Sequence, residues 1–468
     1  MLIKISLIIF CFAFNGIAHS YSLSEYIDDV NKNNNTYQGA KLFEQGFEEQ
    51  KDIFSLAYKP KFFLDASHTE DERQTNSPVF QGNKTNLWSV NSGFSALTKT
   101  GTTVKLYYSQ TQISIDGVNP NFLPISSFFL NGWNFEVSQN LWKNGFGKQT
   151  LANQMLKSAQ VKSNAYDNAF KQNEITMNAK KIFYELAALL DKINTQKQVL
   201  EIANATSDLI NIKISKGLGE KADLYQMKSF VQTRKYELES SLVDLKKLTL
   251  DFNNLRGFGD EFLNDLTLPD FSYALNYDFN TLNIDSKRDD IKAKEEQMNV
   301  AKNSYESSIH DNKPQLDVKI ITSINGRAST YNQSMSYANS GNYPYTVATL
   351  NFSIPLDYSA FKKINAGYKM AQKGAQLSYL QSLNDSKANL EKLKEQLNMG
   401  KELLNQLKSL VEINFKRVEE ERFRYKMGKT TLYQLCLIEQ EYLLSKINLI
   451  NLHKTILQTI AEIETFVK

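Results

Sequence analysis

Residues 180–224 read KKIFYELAALLDKINTQKQVLEIANATSDLINIKISKGLGEKADL, and this stretch decides the architecture. It closes a run, 148–216, that holds neither glycine nor proline over 69 residues and stops at Gly217. Proline costs about 3 kcal/mol inside a helix and glycine about 1, so their joint absence favours one unbroken helix. At about 1.5 Å per residue such a helix is a rod of roughly 100 Å, longer than an ordinary globular domain can hold. The depletion recurs: 220–256 lacks both breakers, 359–427 lacks proline, and 429–468 again lacks both. Apolar spacing agrees, with Leu238, Leu242, Leu245, Leu248 and Phe252 stepping by four and three, as do Ile456, Ile460, Ile463 and Val467.

The eight prolines fall between these rods and bound strand-like stretches. Phe62, Leu64 and Ala66 alternate with Phe63, Asp65 and Ser67. Trp133, Phe135 and Val137 alternate with Asn134, Glu136 and Ser138, Leu316 and Val318 with Asp317 and Lys319, and Ala348, Leu350, Phe352 and Ile354 with their polar neighbours. Such alternation suits the strands of a membrane barrel. Trp133, Trp142, Tyr343 and Tyr345 lie near the predicted strand ends, where interfacial aromatics are expected.

The chain repeats this order. Lys59-Pro60, the strand around Asn134-Phe135, a long helix, Gly217 and a returning helix to Arg256 match Lys313-Pro314, Asn351-Phe352, a long helix, Gly428 and a helix to Lys468. Pro60 and Pro314 stand 254 residues apart but Asn134 and Asn351 only 217, so the first copy carries about 37 extra residues. Those extras, within about 80–125, look like a hairpin around Thr98-Lys99-Thr100-Gly101 and are expected in an outward-facing loop. The resulting division is a signal peptide at 1–20, a first repeat at 21–256, a linker at 257–285 and a second repeat at 286–468. The signal peptide rests on Lys4, an apolar run of about ten residues from Ile5, and the small-residue exit Ala18-His19-Ser20. That run is too short to span a bilayer.

Four strands per chain cannot close a barrel, and open sheet edges are not tolerated in lipid, so several chains are expected to share one barrel. Two helical hairpins per chain likewise bury their apolar stripes only beside neighbours, in coiled-coil packing. The arrangement resembles the TolC-like outer-membrane efflux proteins over nearly all of the mature chain. The resemblance is carried by Lys313-Pro314-Gln315-Leu316-Asp317, Phe352-Ser353-Ile354-Pro355-Leu356, Gly217-Leu218-Gly219-Glu220-Lys221-Ala222-Asp223-Leu224 and Gly428-Lys429-Thr430-Thr431-Leu432-Tyr433-Gln434-Leu435. It implies an α+β membrane protein: a homotrimer with a twelve-stranded β-barrel, continued by a long α-helical coiled-coil tunnel into the periplasm of a Gram-negative cell. It further implies a duct for efflux or type I secretion, with a periplasmic adaptor (membrane fusion protein) and an inner-membrane transporter as partners.

By the same resemblance the glycine turns form the adaptor-contacting tip, with Gly217, Leu218, Gly219, Met427, Gly428, Lys429 and Thr430 as contact candidates. Independently, a turn between antiparallel helices needs a residue at φ > 0, which is what glycine supplies. Asp223 matches a family aspartate near the periplasmic aperture, flanked by Glu220, while the second repeat offers Gln434 and Leu437 where other members carry acids. Arg422, Arg424 and Lys426 are candidates for gating pairs or for a solvated helix end.

Other functions find little footing. His68, His310 and His453 are far apart and lack metal-ligand spacing, no phosphate-binding glycine loop follows a strand, and Cys436 sits in the apolar Leu435-Cys436-Leu437-Ile438. No catalytic residue, cofactor or metal is expected, and a net charge of +3 gives no ground for nucleic acid. The competing reading is an exported coiled-coil scaffold or adhesin of the cell envelope, which accounts for the rods but not for strands at matching places in both halves.

Overall fold

The computed structural model describes residues 21–217, 219–259, 266–281, 287–311 and 313–467. The expected signal peptide, Leu218 and parts of the expected linker lie outside the described residues. In chain order the elements are α1 (Leu23–Asn33), α2 (Asn35–Gln50), a 3-10 segment (Lys51–Tyr58), β1 (Lys61–Asp71), α3 (Pro78–Gln81), β2 (Lys84–Leu97), β3 (Thr102–Asp116), β4 (Ser127–Asn140) and α4 (Lys148–Ser215). There follow α5 (Lys221–Arg256), α6 (Phe271–Asn276), α7 (Asp289–Asp311), β5 (Gln315–Ala328), α8 (Tyr331–Ser340), β6 (Pro344–Ser353), α9 (Tyr358–Lys426) and α10 (Leu432–Glu464). The rods read from glycine and proline punctuation are thus present as α4, α5, α9 and α10, ending within a few residues of the breakers. No helix among the described residues is long and apolar enough to cross a membrane.

The chain forms two compact units, and they do not follow the two repeats. One comprises residues 21–44, 167–291 and 383–467, and is helical. Its core draws Tyr26 and Val30 from α1, Phe183, Leu186 and Ala187 from α4, Phe252 from α5, Leu397 and Leu404 from α9, and Ile456, Leu457 and Ile460 from α10. Ser22 starts α1 with a capping box closed by Glu25. Tyr26 then stacks on Phe252 with ring centroids 4.0 Å apart, and its hydroxyl donates to the Phe252 carbonyl at 3.2 Å. That contact docks the short N-terminal helix on α5.

The second unit, 45–166 and 292–382, is built on one antiparallel sheet in the order β1-β2-β3-β4-β5-β6. The expectation of four strands per chain is therefore corrected to six strands among the described residues. The extra hairpin does not occupy an outward-facing loop. β2 and β3 pair along their full length between β1 and β4, and their turn at Thr98–Gly101 lies at the end of the sheet where β4 runs into α4. Backbone pairing is the cause, because strands of 14 and 15 residues bury their amides best inside an existing sheet.

Registered neighbours share a face, and side chains alternate along each strand. One face therefore carries Asp65, Asn91, Lys105, Asn134, Lys319 and Asn351 in adjoining rows, and the other carries Leu64, Phe94, Leu106, Phe135, Ile320 and Leu350. The polar face is cross-linked. Ser323 donates to Asn134 at 2.6 Å, and Asn134 donates to Ser109 at 2.8 Å. One row away, the buried Glu136 takes Lys105 and Lys319 at 3.3 Å each. Both ladders run from β3 through β4 to β5. The apolar face is largely uncovered, and the exposed Phe62, Leu64, Trp88, Phe94, Leu106, Phe135, Ile320, Leu350 and Phe352 all project from it.

The short α8, which the sequence reading did not anticipate, lies on that apolar face near the loop end of β4 and β5. Ser334 donates to the Gly326 carbonyl at 2.6 Å, and Trp133 Nε1 donates to Asn339 at 3.2 Å. Gly326 is required for this approach, since a Cβ there would lie 2.0 Å from the Ser334 carbonyl oxygen. Gly326→Val is expected to lift α8 while leaving the sheet intact, so limited proteolysis should cut within 329–343 at least tenfold faster than in the parent chain. Unchanged cleavage would show that α8 does not depend on that contact.

Candidate functional site

Two places carry functional candidates, each within one unit. In the helical unit the ends of α4 and α9 and the starts of α5 and α10 meet around Ala203, Ile210, Met227, Leu432 and Cys436, with Leu224 and Tyr425 against them. The two glycine turns therefore lie at the same end of this unit. Gly428 has φ +70°, its N–H bonds to the Tyr425 carbonyl, and the Lys429 N–H reaches the Arg424 carbonyl. Those two bonds are a Schellman stop, which a left-handed residue completes. Gly217, also at φ +70°, bonds to the Ile214 carbonyl.

Around the turns, Met427, Lys429, Gly219 and Glu220 are exposed and Thr430 is half-buried. Glu220 occupies the N-cap of α5 without a side-chain capping bond, and Asp223 stands half-buried in the first turn. Gln434 is half-buried in the first turn of α10, where Thr431 accepts its backbone N–H at 3.3 Å. Tyr425 ties the helices together. Lys213 lies 4.9 Å from its ring centroid, and burial, then the charges of Asp223 and Cys436, push its phenol above the ordinary range.

The basic candidates on α9 are mostly engaged. Arg422 bonds the buried Glu439 at 2.8 Å, and Arg424 lies 3.3 Å from the buried Glu421, which also accepts from the Thr430 hydroxyl. Arg417 meets Glu441 at 2.5 Å. Sequence reasoning missed Glu421 and Glu439. Their signal is local only in part: Glu421 and Arg424 have the i,i+3 spacing of a helical pair just before the glycine, whereas Glu439 finds Arg422 on another helix. Lys213, Lys216, Arg422 and Lys426 also rim an apolar groove of 630 Å³ floored by Leu209, Ile210 and Leu435.

In the sheet unit, Trp133 projects from the apolar face beside α8, and Trp142 lies just beyond β4 at the helix end. Tyr345 pairs with Ser323 and so belongs to the polar face, at the loop end, with Tyr343 two residues before it. The histidines stay apart. His68 stacks on Trp88 at 4.2 Å, His310 sits near Lys313, and His453 is buried against Phe271 with its imidazole pushed down to about 4 by burial. Among the described residues no cluster of His, Cys, Asp and Glu could hold a metal ion.

No protein-family model matches this chain, and no curated protein matches it in sequence. Solved structures do match. The outer-membrane channel OprN aligns with 95% of this chain and 89% of its own at 14% identity and a TM-score of 0.65. The outer-membrane protein VceC from Vibrio cholerae aligns with 94% and 95% at 14% identity and a TM-score of 0.65. The CmeC outer-membrane channel of Campylobacter jejuni aligns with 95% and 84% at 14% identity and a TM-score of 0.64. Over 94–95% of the chain the fold is thus that of these outer-membrane channels.

Two measurements probe the tip. At Gly217 and Gly428 an added Cβ would meet nothing within 4 Å, so alanine there bears only the left-handed backbone penalty. Each of Gly217→Ala and Gly428→Ala should cost about 1 kcal/mol by chemical denaturation, and a neutral result would refute the strained turn. Burial, then the Glu439 carboxylate, raise the Cys436 thiol to about 11. At pH 8 it should therefore react with iodoacetamide at least a hundredfold more slowly than an unfolded control. Rapid labelling of native protein would mean that α10 opens there.

Proposed function

We propose that this chain is one protomer of a homotrimeric outer-membrane duct in a Gram-negative bacterium, conducting solutes to the exterior in efflux or type I secretion. The observation that carries the reading is the sheet: an apolar, uncovered face with two open edges, on a chain whose fold is that of outer-membrane channels. In lipid an apolar face is an asset, but an open edge is untenable, so the sheet must be completed by other copies. The polar face then lines an aqueous lumen. An exported coiled-coil scaffold would have no use for such a sheet.

The helical unit supplies the periplasmic extension. Its tip, around Gly217, Gly219, Met427, Gly428 and Lys429 with the half-buried Thr430 beside them, offers exposed backbone and side chains to a periplasmic adaptor, and Leu218, outside the described residues, belongs to the same candidate set. Asp223, Glu220 and Gln434 stand close enough to the turns to edge an aperture. On this reading an inner-membrane transporter supplies the energy for transport.

The test exploits neighbouring residues on β6 that face opposite ways. Arginine on a lipid face costs about 2–4 kcal/mol near the bilayer midplane, whereas lumen positions tolerate charge. Leu350→Arg should reduce the detergent-extracted trimer in outer membranes at least tenfold, and Thr349→Arg should leave it nearly unchanged. Equal tolerance, with the chain soluble without detergent, would overturn the duct.

A further inference from the structure

The unexpected hairpin has a consequence for the duct, which rests on the reading just given. We infer that β2 and β3 are staves of the barrel wall, so that a trimer closes eighteen strands around a lumen much wider than four strands per chain would enclose.

Three observations carry this. First, the hairpin is built into the wall. The Lys105–Glu136–Lys319 and Ser109–Asn134–Ser323 ladders join β3 to both β4 and β5 on the polar face. Its turn is also pinned backbone to backbone: a Cβ on Gly147 would come within 2.4 Å of the Lys99 carbonyl, and one on Gly101 within 2.9 Å of Gly147. Second, the faces agree across all six strands. Trp88, Val90 and Phe94 of β2 and Leu106 of β3 continue the exposed apolar surface, with Ser92, Gln110 and Gln112 interspersed on the same face. A hairpin folded across the lumen or over the loops would have no reason to present that surface.

Third, the outer strands match each other. Following the register from strand to strand, Lys61 at the start of β1 lies level with Val347 of β6, six residues short of Ser353 at the end of β6. A stagger of about 3.4 Å per residue over five strand spacings of about 4.8 Å gives a tilt of roughly 40°, within the range of membrane barrels. A register that sets the two strand ends level, Lys61 beside Ser353 of the next copy, puts Phe62 opposite Phe352 and Leu64 opposite Leu350. These pairs keep the apolar side chains on one face, as any permitted register must. In the single chain they are 64%, 59%, 63% and 66% exposed, the highest values among the large apolar side chains of the strands. Both edges are thus most in need of cover at the positions that would meet.

Strand number sets barrel width. At this tilt eighteen strands enclose a backbone ring about 36 Å across, against about 24 Å for twelve. Allowing about 5 Å of side chain on each side leaves roughly 26 Å, against 14 Å. An α-helix with side chains is about 10–12 Å wide, so the wider lumen admits a helical hairpin where the narrower admits one helix. The barrel would then not be the size filter of the duct.

Electron cryomicroscopy of the full-length chain in lipid nanodiscs decides the point, beside a variant lacking 84–116, whose ends Lys84 and Asp116 are registered partners. Eighteen strands at about 36 Å in the parent, and about 24 Å in the excised chain where it assembles, are expected. A twelve-stranded ring in the parent, with 84–116 outside the wall, would overturn the inference while leaving the duct standing. A chain that forms no ring in membranes would defeat the duct and the inference together.

Discussion

Backbone hydrogen bonding at the sheet edges constrains everything else in this protein. Within the sheet, β2 to β5 satisfy their amides on both sides, but β1 and β6 each present an outer row of N–H and C=O groups to no other strand among the described residues. In water such a row invites aggregation, and in hydrocarbon each unsatisfied group costs several kcal/mol. The neighbouring apolar face, with Leu64, Phe94, Leu106 and Leu350 uncovered, is as costly in water as the edges are in lipid. The proposed duct removes both costs: a closed ring of copies, apolar side outward in a membrane and polar side inward around water.

The long helices meet the same requirement by another route. α4 and α9, at 68 and 69 residues, satisfy their own backbone, so their debt is apolar surface rather than hydrogen bonds. Ile212 on α4 and Leu403, Leu410 and Ile413 on α9 remain exposed in the single chain. Side-by-side packing of helical hairpins is the ordinary way to bury such residues. The buried acids near the turns add specificity: Glu421 and Glu439 fix Thr430, Arg424 and Arg422, so the returning helix leaves its turn in one direction.

Much of this was legible in the sequence because its determinants are local. Glycine at φ > 0 and proline at strand ends act within a few residues, so 148–216 and 359–427 gave α4 and α9 almost to the residue. Alternation at 62–67 and 347–354 placed β1 and β6 for the same reason. The place of the hairpin was not legible. The pattern of 87–97 and 102–113 reads alike whether those strands sit in a loop or in the wall, and only pairing with β1 and β4 decides. Similarly, the cover of α8 over Gly326 and the match of Glu439 to Arg422 are contacts between distant segments, invisible to spacing.

The central claim is that the apolar face of the sheet meets lipid. It is tested most directly by placing nitroxide labels one at a time at Val347, Ala348, Thr349, Leu350 and Asn351 and measuring collision with oxygen and with a water-soluble nickel chelate in reconstituted membranes. The account predicts period-two alternation, with Ala348 and Leu350 oxygen-accessible and Val347, Thr349 and Asn351 reached by the chelate. Uniform access to the chelate at all five positions would contradict it.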